Sequence, residues 1–306
     1  MTLVTRGMPF ATYRSLSGEH ATALRLALDS PLAYRRHIDA PQADTDAMLM
    51  GRAIHARVLE PMCYDVGYAV WQGGAKRGKD WEVFLGATGG QEVITAAQSM
   101  IVDTVAESMF AHPRAGELLS QPGETELTIV WTHAITGKKI KCRIDKYTET
   151  GCLVDVKTTR DPSRRAFAAA CARYGYAMQL ALYHDALDSA GMTIAGMTPR
   201  AVKIIAAQSV EPYDTVVYTL DAETIEIGRG QYERALETVV MCEATGCWPG
   251  QEQDEVVLRL PAWADSAESA ITLDGEPLWR LSPATNRPAL LVDTEKKTGE
   301  QKSCQA

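Results

Sequence analysis

The amino-acid sequence predicts an α/β (α+β) chain, a mixed central β-sheet flanked by helices with a helical elaboration ahead of it. Three observations predict it. The residues before Glu126 read mostly as capped helical segments, and from Glu126 the pattern changes to apolar/polar alternation over three successive stretches. A long helical stretch then leads into Ala201 to Gln208, a short apolar run suited to a sheet interior. A three-strand meander followed by a crossover helix makes a mixed sheet with helices on its faces.

In chain order, Ser17 is the expected cap of a helix through Leu28, and Ser30-Pro31 opens another through His37. Asp44 or Thr45 opens a third, which carries Gly51 to Glu60 and stops at Pro61, where a ring replaces the backbone donor. A strand from Gly67 to Trp71, a Gly- and Lys-rich loop, and helices from Lys79 to Leu85 and from Thr95 to His112 follow. Strands are expected from Glu126 to His133, Lys138 to Tyr147 and Cys152 to Thr158, joined by turns at Thr136-Gly137 and Glu149-Thr150-Gly151. One long helix is expected from about Ser163 to Ala190, because Phe167, Cys171, Tyr174, Met178 and Leu182 recur at helical spacing. Strands from Ala201 to Gln208 and Thr215 to Leu220, then a helix capped by Asp221 and running through Cys242, complete the pattern. The expected organisation is one domain over residues 1–250, its core at about 120–220, and a C-terminal appendage over 251–306. The last stretch, Glu295 to Ala306, is polar enough to be disordered.

With 306 residues, 46% of them hydrophobic and 23% charged, the chain can bury a sizeable core. No apolar run is long enough to span a bilayer and the N-terminus has no apolar leader, so a cytoplasmic protein without membrane association is expected. Seven cysteines, odd in number and scattered, are expected to be reduced; Cys242 and Cys247 are the one close pair and no zinc-finger spacing accompanies them. The net charge of −8 excludes a protein that coats nucleic acid without specificity, but a channel needs only local positive charge. Arg35-Arg36-His37 and Lys76-Arg77-Gly78-Lys79 are the candidate stretches; by count alone a solvated charge run is the better reading of each.

The chemistry-bearing stretch is Arg143-Ile144-Asp145 followed by Asp155-Val156-Lys157-Thr158-Thr159. Residues two apart in a strand point the same way, so Asp155 and Lys157 share one face and Val154 and Val156 the other. On the preceding strand Arg143 and Asp145 are expected on one side, and Ile140, Cys142 and Ile144 on the other. Taken alone, the triplet is a cross-strand ion pair on a solvated hairpin. Two carboxylates beside a lysine also provide hard oxygen ligands for Mg²⁺ and a fixed cation, which phosphodiester hydrolysis needs.

Further motifs accompany the hairpin: Ser30-Pro31-x-x-Tyr34, Gly51-x-Ala53-x-His55 with Leu59-Glu60-Pro61, Lys79-x-Trp81, Glu126 on a strand ending in Trp131, and Tyr176-x-x-Gln179-x-x-x-Tyr183. In this order they resemble the PD-(D/E)xK nuclease superfamily and, within it, RecE and lambda-exonuclease-like enzymes, over roughly residues 28–262. The resemblance implies a restriction-endonuclease-like core and a Mg²⁺-dependent 5′-to-3′ exodeoxyribonuclease of bacterial or phage origin. Such an enzyme acts on double-stranded DNA ends to leave 3′ single-stranded overhangs for recombination and single-strand annealing. Asp145, Asp155, Lys157, Glu126, Gln179 and Tyr183 would be the catalytic residues, with Glu124 competing for the role of Glu126. His55, Asp145, Asp155 and Val156 would hold Mg²⁺, for which Mn²⁺ substitutes; a small Gly51 would let the His55 helix approach the site. No iron–sulfur cluster is expected, because the C-terminal cysteine trio of some relatives is missing. The implied partners are a RecT-like or Beta-like annealing protein and further copies of the chain in a trimeric or tetrameric ring. Arg35, Arg36, Lys76, Arg77 and Lys79 would line its DNA channel. The rivals are an endonuclease of the same fold, of restriction or junction-resolving type, a single-strand-specific nuclease, and a catalytically silent DNA-end-binding protein.

Overall fold

The computed structural model describes residues 2–40, 44–192, 201–252 and 254–259, and four short strands between 272 and 290. The chain divides into two units, Met1–Gln253 and Asp254–Ala306. The second unit contributes two antiparallel pairs, Thr272–Leu273 with Glu276–Pro277 and Trp279–Leu281 with Pro288–Leu290. The expectation of disorder over Glu295 to Ala306 lies outside the described residues.

The first unit opens with strand β1 (Leu3–Thr5) and helices α1 (Phe10–Ser15), α2 (Ala21–Asp29), α3 (Pro31–Asp39), α4 (Asp46–Leu59) and α5 (Pro61–Gly67). Strand β2 (Tyr68–Trp71), helix α6 (Lys79–Ala87), strand β3 (Glu92–Thr95) and helices α7 (Ala96–Ala111) and α8 (Pro113–Ser120) follow. The meander is β4 (Gly123–Thr132), β5 (Lys139–Thr148) and β6 (Leu153–Thr159). Helices α9 (Arg164–Tyr174) and α10 (Tyr176–Ser189), strands β7 (Val202–Gln208) and β8 (Thr215–Leu220), and helix α11 (Ala222–Thr245) complete it. The six-stranded sheet has the order β1-β4-β5-β6-β7-β8, antiparallel except for the parallel β6–β7 pair. β2 and β3 form a separate parallel pair.

Alternation along the strands gives the sheet two covered faces, and each has its own core. On one, Leu127, Ile129, Ile140, Cys142, Ile144 and Leu153 pack with Leu24, Leu180 and Leu236, which α2, α10 and α11 supply. On the other, Val154, Val156, Ile205 and Ala207 meet Ile54, Val102 and Leu118 from α4, α7 and α8. Local signals set the ends of these helices. Ser30 and Thr45 accept from the third backbone N–H after them, and Thr95 and Gln98 form a reciprocal capping box.

Three departures from expectation have identifiable causes. The helix placed after Ser17 begins only at Ala21, because Glu19 is drawn to β5: its N–H donates to the Lys139 carbonyl and its carbonyl accepts from Lys141, both at 2.8 Å. The single helix expected from Ser163 to Ala190 is two, since Gly175 turns left-handed at φ +70 and its N–H caps the Cys171 carbonyl. β1, α1, α5, β3 and α8 are elements the sequence pattern did not predict. β1 owes its place to tertiary pairing, Leu3 to Thr5 lying antiparallel along Val130 to Thr128.

Candidate active site

The site forms where the β4–β5–β6 meander comes apart. Thr125 pairs with Lys146 and Leu127 with Ile144, but Glu126 and Asp145 between them make no ladder pair. Glu126 takes φ +49, a left-handed conformation costing a non-glycine residue on the order of 1–3 kcal/mol. Strand β5 also changes parity there, because Ile140, Cys142 and Ile144 join the same core as Tyr147. The expected alternation therefore holds up to Asp145, with Arg143 and Asp145 both meeting Glu126, and breaks only between Asp145 and Tyr147. The β5–β6 ladder consists of Lys146–Val154 and Tyr147–Leu153 and opens beyond them. Asp145 fills the gap, its Oδ2 accepting from the Val156 N–H at 2.7 Å.

Helix α4 brings His55 to this gap, with Nδ1 3.6 Å from Asp145 Oδ2. His55, Glu126 and Asp145 each offer a ligand atom, all within 4.8 Å of one another. Asp155 lies on the neighbouring strand, 0% exposed, with Oδ2 2.6 Å from Lys157 Nζ. Its Oδ1 is buried and has no hydrogen-bond partner in the protein. A buried carboxylate oxygen left without a donor, beside two more carboxylates and an imidazole, is the donor set that a hard divalent cation satisfies. The residues present fit a metal.

Electrostatics point the same way. Burial, reinforced by Asp145, pushes the Glu126 carboxyl up to about 7. Burial also raises Asp145, and raises Asp155 to about 6 although Lys157 opposes it. Crowded carboxylates in a dry cleft favour protonation until a cation joins them. His55 goes the other way: burial, then Lys157, lowers it to about 4, so its ring is neutral and keeps a lone pair for coordination at neutral pH. Burial works against the charge on Lys157, but Asp155 and Asp145 outweigh it and raise its pKa, so the ammonium persists.

The structure brings His55, Glu126, Asp145, Asp155, Val156 and Lys157 together. Glu124 stands apart, paired with Arg6 at 2.7 Å. Gln179 Nε2 donates to the Tyr183 hydroxyl at 2.6 Å, and the phenol of Tyr183 is buried, its pKa raised by burial and by the charge of Asp145. The aromatic ring that meets Lys157 is that of Tyr176, 5.1 Å from Nζ. Gly51 does not need to be glycine to let α4 approach: a Cβ there would sit 4.0 Å from Thr158 Oγ1, in ordinary contact. Arg35, Arg36, Lys76, Arg77 and Lys79 are all exposed and make no contact with this cluster among the described residues.

Arg143 has a larger part than its motif suggested. It bonds Glu126 and the Met8 carbonyl, lies 3.4 Å from Glu60, and sits 5.9 Å from the Phe10 ring centroid. Glu60 belongs to the Leu59-Glu60-Pro61 motif, whereas Met8 and Phe10 carry no pattern that sequence reasoning could have used.

Residues 29–257 match a family described as a PDDEXK-like domain of unknown function (DUF3799). The chain belongs to this family. No curated protein matches it. Among solved structures, a "Putative exonuclease" from Eubacterium rectale is similar at a TM-score of 0.58 and 12% identity, over 87% of this chain and 100% of that one. A phage related exonuclease from Haemophilus somnus 129PT, also 12% identical, aligns over 76% of this chain and 97% of its own at a TM-score of 0.33. The first likeness is one of fold, and in this PDDEXK-like fold the open meander lies within the six-stranded sheet.

Proposed function

We propose that the protein is a Mg²⁺-dependent 5′-to-3′ exodeoxyribonuclease that digests double-stranded DNA ends and leaves 3′ single-stranded overhangs for recombination and single-strand annealing. One observation carries the reading: His55, Glu126 and Asp145 offer ligand atoms within 4.8 Å of one another, next to the buried Asp155, whose carboxylate meets the Lys157 ammonium at 2.6 Å. The polarity, the duplex preference and the overhang come from the resemblance to RecE and lambda-exonuclease-like enzymes. By the same resemblance it works with a RecT-like or Beta-like annealing protein and as a homo-oligomeric ring.

Asp145, Asp155, His55 and the Val156 carbonyl would hold the cation, and Glu126 would offer a further contact to it or to the water. When bound, a hard divalent cation supplies Lewis-acid stabilisation of charge on the phosphoryl oxygens. Lys157 keeps its proton, orients the attacking water and opposes the negative charge that grows on phosphorus. The water oxygen bonds to phosphorus and releases a proton to solvent as the bond to the 3′-oxygen breaks, and the departing 3′-oxygen takes up a proton from solvent. Tyr176 under the Lys157 ammonium and the Gln179–Tyr183 hydrogen bond hold the wall of the cleft in place.

Digestion of duplexes labelled separately at each 5′ and each 3′ end, with Mg²⁺ or with chelator, tests the reading. The 5′ label is expected to be released first, only with the metal, and not by Asp155→Ala. Early release of the 3′ label would refute the polarity, and digestion of covalently closed circles would refute the exonuclease. Full activity in Asp155→Ala would refute the site.

A further inference from the structure

The two basic stretches look alike in the sequence and differ in the structure at Arg35, whereas Arg36 is exposed and takes part in no ion pair among the described residues. Arg35 is engaged: its guanidinium lies 2.7 Å from Asp39 and 5.6 Å from the ring of Trp248, which stacks on Tyr34. Lys76, Arg77 and Lys79 lie in and beside the loop between β2 and α6, where residues 72–80 are all exposed. Among the described residues none of the three takes part in an ion pair, and neither do the adjacent Asp80 and Glu82.

This loop is also built. Trp71 Nε1–H donates to the Gly74 carbonyl at 3.0 Å, and the backbone at Gly73 lies so close over the indole that a Cβ there would come within 2.2 Å of a ring atom. Trp81 meets Trp71 edge-on at 5.4 Å, and Phe84 lies 5.0 Å from Trp71. Within the loop Arg77 N–H donates to the Ala75 carbonyl, and the Gly78 carbonyl accepts from Glu82 as α6 begins. A clasp of three aromatic rings thus fixes a projection whose cations have no acidic partner among the described residues.

We infer that the 72–79 loop, with Lys79 at its end, is a preformed grip for the sugar-phosphate backbone of duplex DNA, and that Arg35 is not part of the electrostatic contact. This deepens the nuclease reading above and rests on it. A cation already paired with a carboxylate must give up that pair to meet a phosphate, whereas an unpaired one releases DNA counterions at no such cost. Fixing the loop in advance also removes ordering entropy from the cost of binding. The grip resolves the conflict between a net charge of −8 and a polyanionic substrate, because it sets three free cations close together on one loop.

The test is binding of a fluorescent duplex to the full chain in Ca²⁺, by anisotropy, between about 50 and 200 mM salt. In the variant Lys76→Ala/Arg77→Ala/Lys79→Ala the slope of log K against log salt becomes shallower by about 2 to 3, at roughly 0.9 for each phosphate that is no longer neutralised. Affinity at the low-salt end falls on the order of tenfold or more. Lys76→Arg/Lys79→Arg keeps the wild-type slope, and so does Arg35→Ala. An unchanged slope in the triple-alanine variant, or a loss in Arg35→Ala as large per charge, overturns the inference. If the wild type cuts and binds duplex DNA while the triple variant behaves like it, the grip alone fails. Wild type that neither binds nor cuts sinks the nuclease reading together with the grip.

Discussion

Lys157 stands at the point where charge, burial and position meet. Its neighbours Asp155 and Asp145 favour its charged form inside the protein, so in the proposed reaction it would serve as a fixed charge rather than as a base. Lys157→Ala is expected to lower the cleavage rate on the order of 10²- to 10⁴-fold while duplex binding, read by anisotropy, stays near wild type. Equal loss of binding and rate would assign it a role in holding DNA instead. Glu126 gives a pH test. Burial raises its folded-state pKa from 4.5 to about 7, above the unfolded value, so its contribution to stability is present below the unfolded pKa and is lost as pH rises through about 7. Between about pH 6 and pH 8 the metal-free wild type should lose about 1 kcal/mol relative to Glu126→Gln, measured as the difference between their denaturation midpoints in chelator. A difference that does not change with pH would mean that Glu126 is already ionised in the metal-free protein.

At the scale of elements, the site depends on an interruption. The β4–β5 ladder skips Glu126 and Asp145, and β5 and β6 part after two paired positions, so a carboxylate can turn into the gap and meet a backbone N–H. A continuous ladder would have given Asp145 a cross-strand partner and left no gap between β5 and β6. The break between α9 and α10 matters in the same way, since it sets the direction in which α10 presents Tyr176, Gln179 and Tyr183 to the cleft. Gly175→Ala puts a side chain on a left-handed residue, with its Cβ 2.7 Å from Arg25 Cδ. The expected cost is about 1–2 kcal/mol of stability in a urea titration. Stability equal to wild type would show that the two helices can run on as one, as the uninterrupted apolar spacing suggested.

Across the whole first unit, two separate cores on opposite faces of one sheet hold the site between them. Elements from both sides contribute: α4 with His55 belongs to one face, α10 with Tyr183 to the other. Binding of a cation that the unfolded chain does not hold should therefore stabilise the unit cooperatively. At about a hundred times its Kd, Mg²⁺ is expected to add about 2.7 kcal/mol, seen as a rise in Tm that Asp155→Asn abolishes. The same rise in Asp155→Asn would place the cation elsewhere. By itself the sequence determined the meander, the capped helices and the acid, base and lysine positions, because these rest on local periodicity, capping chemistry and residue type. Ser30 and Thr45 cap their helices where the pattern put them, and Asp155 and Lys157 share a face where period-two alternation put them. Only the tertiary structure set Glu126 beside Asp145 and Glu124 against Arg6, gave Arg143 its bonds to Glu126 and the Met8 carbonyl, and drew Glu19 onto β5. It also separated the free cations of the 72–79 loop and Lys79 from the engaged Arg35. Apart from the Arg35–Asp39 pair, four residues apart on α3, each of these turns on an unpaired ladder position or a partner far away in the chain, and neither leaves a local period in the sequence.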